Sequence, residues 1–372
     1  MLELNGDNLM FSFPDVHPCA KVSIAFQRTL RIPDDGKTYN LPPGLGTFPV
    51  RHVEDFSKRL PEKWKKRGGV MLPMYQSEAL WINFHGNYDP STGQQYPFAI
   101  KVSAGKQSAL TGKPWSKKLK EKDYCIVPLQ PWLDGYVVED GFIKQFVAMP
   151  LGGGFTVEEQ LTGKAEFGGI QIEAIPMKRA EYDKRFPKLP PRPAAAATRS
   201  VNYGSSGGFK LGGYGPPGVF TSVLSKCALS DSRGFEEISE MDSMGLGAGG
   251  RMKQQVFEDP YGLSEWDTSN KTRCFVHLAN SMTWRAITGD NPPTTPMTAE
   301  DYTRYHMPWF DYYSDAPALK GTEKLKGIKT VKEIGKQKGV PALPENTSVN
   351  PHNVVIIPSH PHGKQVKDGT WK

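Results

Sequence analysis

The chain has 372 residues and a formal charge of +7, a length sufficient to bury a large core and more naturally divided into two modules than one. Its 38 Gly and 32 Pro residues favour many short strands joined by long loops. No stretch approaches the ~18 apolar residues that cross a bilayer, and the first residues do not resemble a signal peptide, so we expect an intracellular protein, cytoplasmic by default.

Alternating apolar residues near the N-terminus predict an antiparallel hairpin. Val22 and Ile24 fall on one face of an extended segment whose other face is polar, which is typical of a half-buried strand. Leu9 and Phe11 alternate in the same way just before it, and residues 15–18 supply turn-forming side chains.

The next periodic segment, residues 54–66, has the spacing of a helix. Phe56, Leu60 and Trp64 lie four residues apart, which places them on one helical face. Pro61 cannot continue a hydrogen-bonded helix, so we expect this helix to be short or broken.

Two more pairs of strands are indicated in the first half. Residues 80–84 and 98–104 alternate between apolar and polar side chains and are separated by a loop-forming stretch, which predicts a second hairpin-like pair. Asp140-Gly141 lies between the apolar runs of residues 135–149 and is the strongest hairpin signal in the chain.

Local signals also place several later elements. Thr156 and Glu159 have the spacing of a capping box that opens a short helix. The remaining expected elements are a strand over residues 167–176, a strand over 273–279, a helix beginning near Thr298, a lysine-rich helical stretch over 322–338 and a closing strand over 354–357.

Composition divides the chain into three parts. Residues 1–186 form a β-rich module, and residues 187–218 are rich in Pro, Ala and Gly and are typical of a linker or arm. Residues 219–372 form a mixed module that could share one core with the first. The fold class that we expect is mainly β, an antiparallel β-sandwich or distorted barrel with short peripheral helices.

Two motifs resemble ligand sites, but their sequence context does not favour ligand binding. Residues 245–250 match the glycine pattern of a dinucleotide-binding loop, but the segment before them is acidic and does not read as a buried strand. His360 and His362 are close in sequence, yet no further ligands accompany them, so a solvated tail is the preferred interpretation. We therefore expect no cofactor, no metal and no catalytic residue.

The cysteines show no spacing of a metal site or a disulfide framework. Cys19, Cys125, Cys227 and Cys274 are far apart and include no CxxC pair, so four reduced thiols are the simplest interpretation.

Aromatic residues are densest at residues 309–313. Trp309, Phe310, Tyr312 and Tyr313 are too close in sequence for all four rings to point in one direction. Some of them are therefore expected to be exposed or covered by another subunit, which makes them candidate contact residues.

Two other classes of function remain open. An enzyme or small-ligand protein would assemble its site from distant residues, with His85, His277, Asp134 and Trp132 as candidates. A polyanion-binding module would use the basic residues of segments 58–67 and 113–122, but acidic residues interrupt both, so nucleic acid is an unlikely partner.

Four segments resemble a family of uncharacterised bacterial and fungal proteins that includes the protein of octahedral, gravity-sensing crystals in mucoralean fungi. They are residues 30–52, 69–84, 130–161 and 273–289. The resemblance implies a non-catalytic, structural protein that self-assembles into a homo-oligomer or crystal. It also implies storage in the vacuole, with the four cysteines as candidates for intermolecular disulfides.

Overall fold

The structure is a computed structural model that describes residues 1–190, 243–313, 316–339 and 354–358. Short strands dominate these residues. The strands are β1 (Leu2–Asn5), β2 (Asn8–Ser12), β3 (Lys21–Thr29), β4 (Thr38–Tyr39), β5 (Arg51–His52), β6 (Val70–Pro73), β7 (Ala79–Gly86), β8 (Tyr88–Asp89), β9 (Gln94–Gln95), β10 (Phe98–Ala104), β11 (Gln107–Ser108), β12 (Cys125–Val127), β13 (Trp132–Leu133), β14 (Gly135–Glu139), β15 (Phe142–Pro150), β16 (Ile170–Pro176), β17 (Ser243–Lys253), β18 (Thr272–Ala279), β19 (Trp309–Tyr313) and β20 (Val354–Pro358).

The helices are short and lie between the strands. They are α1 (Glu62–Arg67), α2 (Val157–Thr162), α3 (Arg179–Arg185), α4 (Ser281–Thr288), α5 (Ala299–Arg304), α6 (Glu323–Lys326) and α7 (Val331–Lys338), with 3-10 helices at Glu54–Arg59 and Leu263–Glu265. The side chains of Thr156, Asn280, Thr298 and Thr330 accept a backbone N–H in the first turn of the helices that they precede, which satisfies donors that have no partner within the helix.

Among the described residues, one sheet of 16 strands organises the fold. Its main path runs β1-β2-β3-β7-β15-β17-β18-β16-β10-β11. Pairing along this path is antiparallel, whereas β4 and β6 add to β17 and β18 in parallel. The predicted mainly β, antiparallel architecture is confirmed. Since β1 and β11 lie at opposite ends of the path, the described strands do not close into a barrel.

Most elements with a local signal form where the sequence places them. β2 and β3 pair with Leu9 opposite Ile24, and β14 and β15 form the hairpin around Gly141, whose φ of 74° suits glycine. The helix over residues 54–66 is broken before Pro61, as expected, into a 3-10 turn and α1. The capping box at α2 and the strands β16, β18 and β20 are also confirmed.

The prediction that residues 80–84 and 98–104 form a second hairpin-like pair is wrong. β7 pairs with β3, β13 and β15, whereas β10 pairs with β11, β12 and β16. The intervening segment instead folds on itself, as the small hairpin of β8 and β9. Alternation indicates which face of a strand is buried but does not specify its partner, and here each strand pairs with segments more distant in sequence.

The glycine-rich segment over residues 245–250 lies inside β17, between β15 and β18. Its glycines allow close packing. A Cβ at Gly250 would lie 2.4 Å from the carbonyl oxygen of Pro33, and one at Gly249 would lie 2.6 Å from Val147 Cγ2. The glycines therefore allow close packing within a central strand. A dinucleotide-binding loop would instead place them in a turn between a strand and a helix.

The core extends across both halves of the sequence. β10 and β16 are buried along their whole length, so the sheet is covered on both faces at these two strands. The main apolar cluster contains residues from both sides of segment 191–242, including Phe26, Ile100, Met252 and Val276. Most of the expected arm, residues 187–218, lies outside the described residues.

No helix among the described residues is long and apolar enough to cross a membrane.

Candidate functional site

A two-stranded ribbon outside the large sheet has an exposed apolar edge. β19 and β20 pair in parallel, with Trp309 opposite Val354. On the other side of β19, Phe310 exchanges backbone hydrogen bonds of 2.8 and 3.0 Å with Leu41. β19 is therefore attached to the body of the protein, and β20 forms the outer strand of the ribbon as far as the described residues extend.

The side chains of β20 are apolar and exposed to solvent. Val354 and Val355 are each 42% exposed and Ile356 is 69% exposed. Because successive side chains of a strand point to opposite faces, exposure at three consecutive positions means that neither face of β20 is fully covered. β-branched residues favour the extended conformation, and residues 346–363 include no Asp, Glu, Lys or Arg.

The aromatic cluster anchors this ribbon. Trp309 is only 1% exposed and packs against Tyr39 and Tyr302, with ring centroids 6.0 and 5.2 Å away. Tyr312 is half-buried and lies 5.1 Å from the ring of Trp132.

Of the other two contact candidates, Phe310 is half-buried, and the side chain of Tyr313 lies outside the described residues. At least one ring of the four thus belongs to the core, and two lie at its margin.

The described cysteines differ in accessibility. Cys125 and Cys274 are buried, and burial raises the pKa of each thiol to about 12. Thiols in that position do not reach a neighbouring molecule while the chain is folded. Cys19 is half-buried, and Cys227 lies outside the described residues.

The four residues considered for an enzyme site have separate surroundings. His85 is exposed on β7. His277 is buried between Trp64 and Phe275, with its ring centroid 4.4 Å from each of theirs, and burial lowers its pKa to about 3.

Asp134 is also buried, and its carboxylate accepts a 2.7 Å hydrogen bond from the amide of Gln254. Trp132 packs against Trp81 instead. A small depression of about 160 Å³, lined by residues 1, 12–16 and 269–272, contains none of these four side chains.

The basic segments are mostly solvent-exposed, and part of their charge is compensated. Lys65 pairs with Glu62 at 2.6 Å and Lys122 with Glu258 at 3.1 Å. Arg67 donates hydrogen bonds to the backbone carbonyls of residues 166 and 167. Exposed and partly paired charges of this kind are typical of an ordinary solvated protein surface.

Sequence reasoning missed two polar clusters. Lys101 is 1% exposed in β10, where Glu173 and Asp123 lie 3.7 and 3.9 Å from its ammonium group. His17 and Cys19 meet Asp89 from a distant loop. The spacing His17-Pro-Cys19 was a usable signal for the second cluster, but no sequence pattern links it to a carboxylate seventy positions away.

In comparisons with family models, curated proteins and solved structures, nothing matches this chain. What it does is therefore inferred from its residues and their geometry.

Proposed function

We propose that this chain is a non-catalytic structural protein that associates with copies of itself through the edge of β20. The observation that carries the proposal is the exposure of Val354, Val355 and Ile356 on the outer strand of a two-stranded ribbon. Two strands alone are marginally stable in water, and an exposed apolar edge is a template for pairing with another chain.

A second copy suits this edge better than a chain of different composition. Pairing of β20 with β20 about a two-fold axis would bring identical apolar residues together and complete the backbone hydrogen bonds of both strands. Since residues 346–363 have no Asp, Glu, Lys or Arg, such pairing meets no like-charge repulsion from those residue types.

The expected contact is weak on its own. A pair of five-residue strands buries less than the roughly 1,200 Å² of a stable standard interface. Association should therefore depend on concentration and become extensive where many contacts act together. The family resemblance of the sequence, which implies protein crystals, supports an assembly of this kind.

The test is light scattering over a concentration series of the full chain, comparing the wild type with Ile356→Lys. The mass of the wild type is expected to rise above the 41.3 kDa of one chain, and the variant to stay near that mass. Lysine on an edge strand blocks strand addition. Ile356 lies opposite Asp311 on β19, so the new charge has a partner within the ribbon.

Met282→Lys is the matched control, because Met282 is an exposed apolar residue of α4 and receives the same charge. It should associate as the wild type does, with or without reductant. A wild type of constant mass, or equal growth of wild type and Ile356→Lys, would contradict the proposal. Assemblies that dissolve on reduction would point to disulfides instead of the strand edge.

A further inference from the structure

Two loops bring an imidazole, a thiol and a carboxylate together beside the large sheet. His17 and Cys19 lie in the turn between β2 and β3, and Asp89 ends β8. One ligand atom from each of the three residues lies within 4.8 Å of the other two. Nε2 of His17 is 3.8 Å from Oδ2 of Asp89.

The backbone holds both loops in place. The N–H of His17 donates to the carbonyl of Phe13 at 3.1 Å, and the N–H of Ala20 donates to the carbonyl of His17 at 2.9 Å. On the other loop, the N–H of Gly93 donates to the carbonyl of Asp89 at 2.9 Å.

Neighbouring backbone and side-chain groups fix the orientation of the ligand groups. Oδ1 of Asp89 accepts the N–H of Ser91 at 2.9 Å, and Oδ2 accepts the hydroxyl of Tyr182 at 3.1 Å. The imidazole of His17 stacks on Tyr96 with centroids 5.1 Å apart and rings inclined by 20°. Such supporting contacts are typical of metal sites, where they orient the ligands.

We propose that His17, Cys19 and Asp89 form a binding site for one Zn²⁺ ion. Nitrogen, sulfur and carboxylate oxygen are the donors that zinc prefers, and in a tetrahedral site they lie about 3.3–3.6 Å apart. The observed separations, at most 4.8 Å, need to shrink by no more than about 1.5 Å, which is within reach of side-chain rotation. A thiolate and a carboxylate together balance the charge of the ion.

The proton balance follows from the hydrogen bonds. Since the Cys19 N–H donates to Nδ1 of His17, the neutral ring carries its proton on Nε2, which faces Asp89. Zinc binding sends the Cys19 thiol proton to solvent and moves the ring proton to Nδ1 through solvent. One backbone hydrogen bond is exchanged for three bonds to the metal.

The bound ion would tie the β2–β3 turn to the β8–β9 hairpin. Three protein ligands leave the fourth tetrahedral position to water or to an external ligand. The side chain of His17 is 12% exposed and that of Asp89 is 4% exposed, so the site is shielded but lies close enough to the surface for an ion to enter. This site is separate from the β20 edge, and neither proposal depends on the other.

The experiment uses the full chain in a thiol-free reductant, with Co²⁺ as a spectroscopic probe and Zn²⁺ as competitor. We expect one Co²⁺ per chain, thiolate-to-cobalt charge-transfer absorption, and loss of that absorption on adding Zn²⁺. Zn²⁺ should also slow alkylation of Cys19, followed by peptide mass mapping. Cys19→Ser and Asp89→Asn should each weaken Zn²⁺ binding at least tenfold, because even the loss of a group that only supports a ligand typically lowers metal affinity by roughly 10–100-fold.

Asp15→Asn is the matched control, because it removes an exposed carboxylate from the same turn and leaves the three ligands intact. It should bind Zn²⁺ as the wild type does. Failure to bind one ion, or binding that survives both ligand substitutions, would overturn the proposal. Binding that is instead lost on replacing His360 and His362 would assign the metal to the C-terminal histidines and would equally overturn it.

Discussion

Asp134 carries a carboxyl group that is buried inside the protein. Burial raises its pKa to about 7, although the hydrogen bond from Gln254 acts in the opposite direction. In the unfolded chain an aspartate has a pKa near 3.9. The folded state therefore favours the protonated form, and this group's effect on stability becomes less favourable as the pH rises from about 4 to about 7.

Asp134→Asn should reveal this effect, because asparagine resembles the protonated acid in shape and hydrogen bonding. We expect wild type and variant to have similar free energies of unfolding near pH 4. The variant should be more stable at pH 8, by up to about 4 kcal/mol.

Urea unfolding at several pH values measures the difference between the two proteins. The difference between the two free energies of unfolding is compared, and not either value alone. The lowered pKa of His277 makes both proteins lose stability as the pH falls below 6.5, which is the opposite of the trend expected from Asp134. An equal stability difference at pH 4 and pH 8 would show that Asp134 is ionised in the folded protein.

At the level of elements, the β17 glycines show how a strand can depend on missing side chains. Gly250 lies against the backbone of Pro33, and Gly249 lies against Val147. The Pro33 carbonyl is a backbone group and cannot move aside as the end of a flexible side chain can. Tertiary packing thus selects residues that intrinsic strand propensity disfavours.

Gly250→Ala should consequently destabilise the protein by about 3 kcal/mol, since a Cβ would meet the Pro33 carbonyl oxygen at 2.4 Å. Gly327→Ala is the control, because its nearest neighbour would be an ordinary 3.4 Å away and its φ is −77°. Chemical denaturation of both variants measures the difference. Similar stability of the two variants would show that β17 has room to shift.

The same elements show what the sequence can and cannot predict. The turn at Asp140-Gly141 and the capping box of Thr156 and Glu159 have mechanisms contained within a few residues, so sequence alone locates them. The partners of β7 and β10 depend on contacts between distant segments, and the expected pairing of these strands was wrong. β17 was not predicted, because its glycines resemble a loop.

The same contrast between local signals and long-range contacts applies to the candidate sites. The apolar run of β20 is visible in the sequence, but its position as an outer strand requires the structure. Some rings of the aromatic cluster were expected to be exposed or covered by another subunit, but the sequence does not show that Trp309 is the one buried in the core. The approach of Asp89 to His17 depends on the path from β3 through β7 to β8, which no local pattern specifies.

Over the whole molecule, the large sheet and the β19–β20 ribbon have different relations to the core. β17 and β18 lie between strands from the first half, so residues from both sides of segment 191–242 complete one sheet. β20 is outside that sheet and pairs with β19. Stability and self-association should therefore be separable along the chain.

A chain ending at Gly339 tests this separation, because it lacks β20 but retains α7 and the Leu41 contact of β19. We expect it to keep its β-rich circular dichroism spectrum and to unfold within about 1 kcal/mol of the full chain, since β20 lies outside the large sheet. In light scattering it should stay at the mass of one chain at concentrations where the full chain associates.

A chain ending at Gly327 is the comparison, because it also loses α7, whose Val331 packs against Val147 and Met149. Losing that apolar contact from one face of the sheet should lower stability by about 2 kcal/mol or more, which the chain ending at Gly339 should not show. If the longer truncated chain associates as the full chain does, the contact between molecules lies on the body of the protein. If the chain ending at Gly339 fails to fold, the stability of the protein depends on residues outside the large sheet, and the C-terminal segment is part of the core.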